Sequence, residues 1–213
     1  MKKKIKFILL GFTLVSCFIL YHLLIIDHSA KFVFEETIYW KNATYHRASG
    51  VGYKVGRTVA MAGNHSISLV KGDKSRSFIF VSSPLIGSDL YVRGDYIIPR
   101  YGQITAVFWD YYKITDIEFI NAISEICQNN ENSFEYHGEG LFILSETQRM
   151  KRVYLQYENC PVATDYVGFI GKLNDNWVMA NEGRNTDGVY TVFCRIIPSS
   201  YISILEKYFK LII

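Results

Sequence analysis

Residues 7–26 constrain this chain more than any other stretch. Twenty consecutive residues carry no formal charge, and fourteen of them are Phe, Ile, Leu or Val. A helix of that length reaches about 30 Å, the thickness of a bilayer's hydrocarbon layer. Lys2, Lys3, Lys4 and Lys6 precede the run and Asp27 follows it. The positive-inside rule then predicts a cytoplasmic tail over 1–6, a transmembrane signal anchor over 7–26, and a C-terminal domain on the extracytoplasmic side of the cell membrane.

Two other fates of the leader lead to the same side. Leu14-Val15-Ser16-Cys17 resembles a bacterial lipobox, in which Cys17 would be lipidated. Cleavage around Asp27-His28-Ser29-Ala30 would instead release the remainder. In every case the rest of the chain is exported.

The charge of +3 belongs to the leader. Setting its four lysines aside brings the 23 basic residues to within one of the 20 acidic ones. An exterior that is nearly neutral and lacks a basic tract predicts no nucleic-acid partner. Beyond Cys17 the cysteines are Cys127, Cys160 and Cys194, with no CxxC spacing and no metal-like pattern. Export permits one disulfide, and Cys160 with Cys194 is the pair suggested by their shared place in the β-rich second half. Cys127 falls on the apolar face of a predicted helix and reads as a small core residue.

After Asp27 the pattern changes to short alternating runs punctuated by Gly, Asn and Asp, the mark of strands and turns. Residues 38–48 read as a tight hairpin about Lys41-Asn42. Thr115-Asp116-Ile117-Glu118 fits a capping box, and Ile117, Phe119, Ile120, Ile123, Ile126 and Cys127 give the following helix a broad apolar face. A second amphipathic helix begins near Pro198-Ser199-Ser200 and presents Tyr201, Ile204, Leu205, Tyr208 and Phe209. The expected fold is α+β: an N-terminal transmembrane helix, then a β-rich exported region with two amphipathic helices. That region divides into a first half over 27–128 and a second over 133–213, each ending in a helix, which together form one domain or two.

No nucleotide-binding, acyl-transfer or metalloprotease motif occurs, so no catalytic, cofactor or metal-binding residue is assigned. Carboxylate pairs such as Glu35-Glu36, or Glu135 with Glu139, and a Cys-His pair drawn from Cys160 or Cys194 with His137 or His46, define a hydrolase alternative. The aromatic content, 15% of the chain, is more distinctive. Tyr39, Trp40, Trp109, Tyr111 and Tyr112 are candidates for a ring surface that takes a glycan or a protein.

Ile38-Tyr39-Trp40-Lys41-Asn42-Ala43-Thr44-Tyr45, Val55-Gly56-Arg57, Gly72-Asp73 and Leu90-Tyr91-Val92-Arg93 follow in an order that resembles a small module. That module occurs in uncharacterised lipoproteins and membrane-anchored envelope proteins of Gram-positive bacteria, and the resemblance covers about residues 36–96. It implies an envelope location and brings no catalytic residues with it. The sequence thus predicts a single-pass membrane-anchored, non-enzymatic binding module of the cell envelope, with membrane lipid and an envelope protein or glycan as partners. A hydrolase and an accessory subunit of a membrane complex are the alternatives.

Overall fold

A computed structural model describes residues 11–20, 25–34, 36–83, 87–100, 102–128, 133–138, 150–173, 176–181, 184–186 and 189–212. The fold is mostly β, two sheets with a few short helices, which corrects the expected α+β architecture led by a transmembrane helix. Residues 11–20 are helical, α1. Among the described residues no helix is long and apolar enough to cross a membrane. The expected single-pass anchoring over 7–26, and the cell-membrane location built on it, are therefore not supported. The end of the apolar run shows a physical reason. Ile26 is buried, and the backbone of Asp27 pairs with β-structure, its N–H reaching Val59 O at 3.0 Å while its carbonyl accepts Met61 N at 2.8 Å. Ile26 thus belongs to the interior of unit 1 and Asp27 to its β-structure.

The chain forms two compact units. Unit 1 takes the residues up to Ala48 and Lys54–Tyr96; unit 2 takes Ser49–Tyr53 and Ile97 onward. The division falls near residue 96, so the helix after Asp116 belongs to unit 2. The 129–132 stretch, between the two halves read from the sequence, lies outside the described residues.

Unit 1 is one antiparallel sheet of seven strands: β1 (Lys31–Phe34), β2 (Thr37–Trp40), β3 (Ala43–Ala48), β4 (Val55–Ala62), β5 (His65–Val70), β6 (Phe78–Ser83) and β7 (Gly87–Arg93). Their order is β1-β2-β3-β7-β6-β5-β4. The β2–β3 hairpin is the one expected from the sequence. Lys41 and Asn42 sit at φ 49° and 61°, the double left-handed geometry of a type I′ turn, whose twist matches that of the strands. The sheet curls until its edges meet: β1 lies against β4, Asp27 bridges Ala60, and Phe32 stacks edge-on against His65 with centroids 4.7 Å apart. Closure removes exposed edges. It also encloses one core, with Ile38, Trp40, Ala60, Ile67 and Ile79 at its centre.

Unit 2 is a second antiparallel sheet. Its strands are β8 (Ile104–Trp109), β9 (Tyr112–Ile114), β10 (Ser133–Gly138), β11 (Lys151–Tyr157), β12 (Asp165–Leu173), β13 (Asn176–Ala180), β14 (Arg184–Thr186) and β15 (Val189–Ile196). They run β10-β15-β13-β12-β11-β8-β9, with β14 beside β15. Helices α2 (Ile117–Gln128) and α3 (Ile202–Ile212) pack together. They cover one face through an aromatic cluster in which the Trp109 ring lies 5.7 Å from Phe119, 6.2 Å from Trp177 and 5.7 Å from Phe209. Both helices stand where the 3.6-residue periodicity predicts, with two corrections. Asp116, not Thr115, caps α2, its Oδ1 accepting Glu118 N at 2.9 Å. Ile117 faces solvent, while Phe119, Ile120, Ala122, Ile123 and Ile126 are buried. On the sheet's other face, Val51 bridges Ala163, and Gly52, at φ 75°, lies so close to the Phe108 ring that a Cβ would meet it at 2.1 Å.

Candidate functional site

The residues singled out from the sequence are divided between the two units, and several are core residues. Trp40 and Trp109 are 1% and 0% exposed; both are core residues, so the expected aromatic surface loses its two largest rings. Tyr39 is on β2 of unit 1, whereas Tyr111 and Tyr112, 85% and 51% exposed, stand at the β8–β9 turn of unit 2. No disulfide joins Cys160 to Cys194. The Cys160 thiol donates to Val162 O at 2.8 Å, and Cys194 packs among Met150, Phe169, Ala180 and Val192. Cys17 is exposed on α1. Glu35 and Glu139 lie outside the described residues. Among the described residues no group of three or more His, Cys, Asp or Glu could hold a metal ion.

Two of the thiols are also chemically quiet. Burial pushes Cys127 up to about 12 and Cys194 to about 11, and only a thiolate is an effective nucleophile. His137 is engaged elsewhere: its Nδ1 lies 3.1 Å from Thr191 Oγ1 and its Nε2 3.7 Å from Glu135.

A different set of residues does converge. In unit 1 a pocket of about 350 Å³ is lined by Asp27, Trp40, Lys41, Arg57, Thr58 and Arg76, with Ile25, Val59 and Leu69 as its apolar wall. Each cation is delivered by a separate backbone device. Lys41 is the first residue of the type I′ turn, and its ammonium rests 5.2 Å from the centre of the Trp40 ring, a cation–π distance. Arg57 lies in the first of two register shifts of β4, between Val55 and Thr58; bulges of this kind re-aim side chains. Arg76 sits at φ 56° in the β5–β6 loop. Asp73 holds that loop by accepting Ser75 N at 3.1 Å and Phe78 N at 2.7 Å, while Tyr45 Oη anchors Arg76 O at 3.0 Å.

The lining is electrostatically lopsided. Asp27 is its one acidic side chain, and both its oxygens are occupied, Oδ1 by Ser29 N at 2.8 Å and Oδ2 by Trp40 Nε1 at 2.9 Å. Hydrogen bonds from Ser29, then from Trp40, hold this carboxyl below its ordinary range and keep it ionised. Among the described residues none of Lys41, Arg57 and Arg76 has a carboxylate within ion-pair distance. Among the described residues, three cationic groups thus face a pocket whose one anion, Asp27, already accepts two hydrogen bonds. Two other arginines of unit 1 are tied: Arg47 pairs with Glu36 at 3.5 Å and Asp89 at 3.0 Å. The guanidinium of Arg93 folds onto Asp95 and onto Ser75 O, which locks the Arg93-Gly94-Asp95 tripeptide into a turn.

Lys41 and Arg57 fall within the sequence motifs quoted above, where neither has a role, and Arg76 falls in none of them. The signal available was weak. Positive φ at a lysine or an arginine cannot be read from residue type, since Asn and Gly are the usual occupants. Compared with protein-family models, with curated proteins and with solved structures, the chain finds no match.

Proposed function

We propose that unit 1 is a non-enzymatic binding module for a small oxyanion-bearing ligand, one that carries phosphate or sulfate. The observation behind this reading is the convergence of Lys41, Arg57 and Arg76, none of them ion-paired among the described residues, on one pocket. Guanidinium forks match the oxygens of phosphate and sulfate, and an ammonium adds a point charge. The pocket's volume of about 350 Å³ falls within the range of small-molecule sites. Apolar walls lower the local dielectric and strengthen each charge–charge term. The raised Cys194 value and the engaged His137 favour binding over hydrolysis by that pair.

Isothermal titration with inorganic phosphate at low ionic strength tests the proposal. One-to-one binding is expected, falling at least tenfold in the R57A/R76A double variant and weakening as salt rises. Equal heats from the wild type and the double variant would overturn it.

A further inference from the structure

The lining of the unit 1 pocket limits which oxyanion suits it. Among the described residues Lys41, Arg57 and Arg76 bring three positive charges and Asp27 one negative, a net charge of +2. A phosphate monoester is nearly a dianion above its second pKa of about 6, and it offers three terminal oxygens, one for each cation. A sulfate monoester offers the same three oxygens with a single charge, which leaves the lining half neutralised. Inorganic phosphate matches the charge but leaves the apolar wall in water.

That wall is aliphatic. Val59 and Leu69 are half-buried and pack on the core of unit 1, so part of each side chain is left uncovered, and Ile25 is 62% exposed. Covering such surface with hydrocarbon is favourable in proportion to the area removed from water. The backbone brings wall and cations together. β4 and β5 approach so closely at Gly56 that a Cβ there would meet Leu69 O at 2.8 Å. The bulge that carries Arg57 is thereby held against the strand that carries Leu69. The hydroxyl of Thr58, also in the lining, is engaged with Ser68 Oγ at 3.1 Å, which leaves the three cations as the recognition groups for the head.

We infer, on the strength of the oxyanion reading of this pocket, that its ligand is a small free phosphate monoester with an aliphatic substituent, its terminal oxygens at Lys41, Arg57 and Arg76 and its hydrocarbon against Ile25, Val59 and Leu69. Calorimetric titration of the full chain at about pH 8 compares butyl phosphate, inorganic phosphate, butyl sulfate and butan-1-ol. One-to-one binding of butyl phosphate is expected, at least tenfold tighter than each of the other three, with amide chemical-shift changes at Lys41, Thr58 and Arg76. V59T keeps the volume of the side chain but makes the wall polar, and I25S does so at an already exposed position. Each should cut the advantage of butyl phosphate over inorganic phosphate at least threefold while the unfolding midpoint is retained. Vesicles containing phosphatidic acid present the same head on a bilayer and should not sediment the protein. Butyl phosphate no tighter than inorganic phosphate or than butyl sulfate, an advantage undiminished in both V59T and I25S, or sedimentation with the vesicles that R57A/R76A abolishes would each overturn the inference. The oxyanion reading survives those results if inorganic phosphate still binds and is lost in R57A/R76A, whereas a chain that binds no phosphate at all overturns both.

Discussion

Both units must cover the inner face of a long antiparallel sheet, and they do so differently. Unit 1 closes its sheet on itself, so Trp40, Ile38 and Ile79 pack against side chains of the same sheet. Unit 2 leaves its sheet open and lays α2 and α3 on it, so Trp109 packs against Phe119 and Phe209 of those helices. Charge follows the same division. The helices of unit 2 bring carboxylates and their partners together: Asp116 caps α2 and also receives Lys207 at 3.1 Å and the Tyr208 hydroxyl from α3. In unit 1, Asp27 is the one acidic side chain among the described residues that line the pocket, and Lys41, Arg57 and Arg76 are left facing it. The curled sheet leaves cations from a turn, a bulge and a loop facing a pocket, whereas the helix-covered sheet joins its two helices through Asp116.

Truncating the shared anchor of the unit 2 cluster should have the largest effect. W109A removes a ring that is 0% exposed and donates its indole N–H to Ile170 O at 3.4 Å. A loss of about 3–5 kcal/mol is expected, read from urea unfolding. A loss below about 1 kcal/mol would mean that the helices are not held by this cluster.

A smaller effect is expected at the buried carboxylate of unit 2, Asp165, which accepts Tyr157 Oη at 2.6 Å and Arg100 Nη2 at 2.8 Å. Y157F removes one hydrogen bond to Asp165 and should cost about 1.5–3 kcal/mol, measured the same way, with phosphate binding in unit 1 unaffected. If Y157F were neutral, the hydrogen bond from Tyr157 to Asp165 would add nothing to the stability of unit 2.

The smallest effect concerns pH. Hydrogen bonds from Tyr208, then Lys207 and the Glu118 amide, hold Asp116 down at about 2, against an ordinary value of 3.8. Because the folded value is the lower one, the unfolded chain takes up its proton first as the solution is acidified. The stabilisation from Asp116 is therefore present above pH 3.8 and fades as the pH falls toward about 2. D116N should be less stable than the wild type at neutral pH, with the gap narrowing across that window. A gap constant down to pH 2 would remove Asp116 from the α2–α3 junction.

The sequence made local structure legible where one periodicity or one turn decides it. The hairpin at Lys41-Asn42 and both amphipathic helices follow from turn chemistry and the 3.6-residue repeat. Long-range pairing was not legible. A twenty-residue apolar run is a membrane signal by hydropathy, yet its end, Ile26 and Asp27, is built into unit 1 through backbone bonds that no composition reveals. Alternation shows which strand residues share a face but not which face is covered, so Trp40 and Trp109 read equally well as surface or core. The unit 1 pocket draws Lys41, Arg57 and Arg76 from a turn, a bulge and a loop that become neighbours only when β4 closes beside β1.

The most direct test of an anion pocket in unit 1 is to locate an anion there. Crystals soaked in selenate should give an anomalous selenium peak bounded by Lys41, Arg57 and Arg76, absent from crystals of R57A/R76A. Selenate peaks only elsewhere, or a peak that persists in the double variant, would contradict the account.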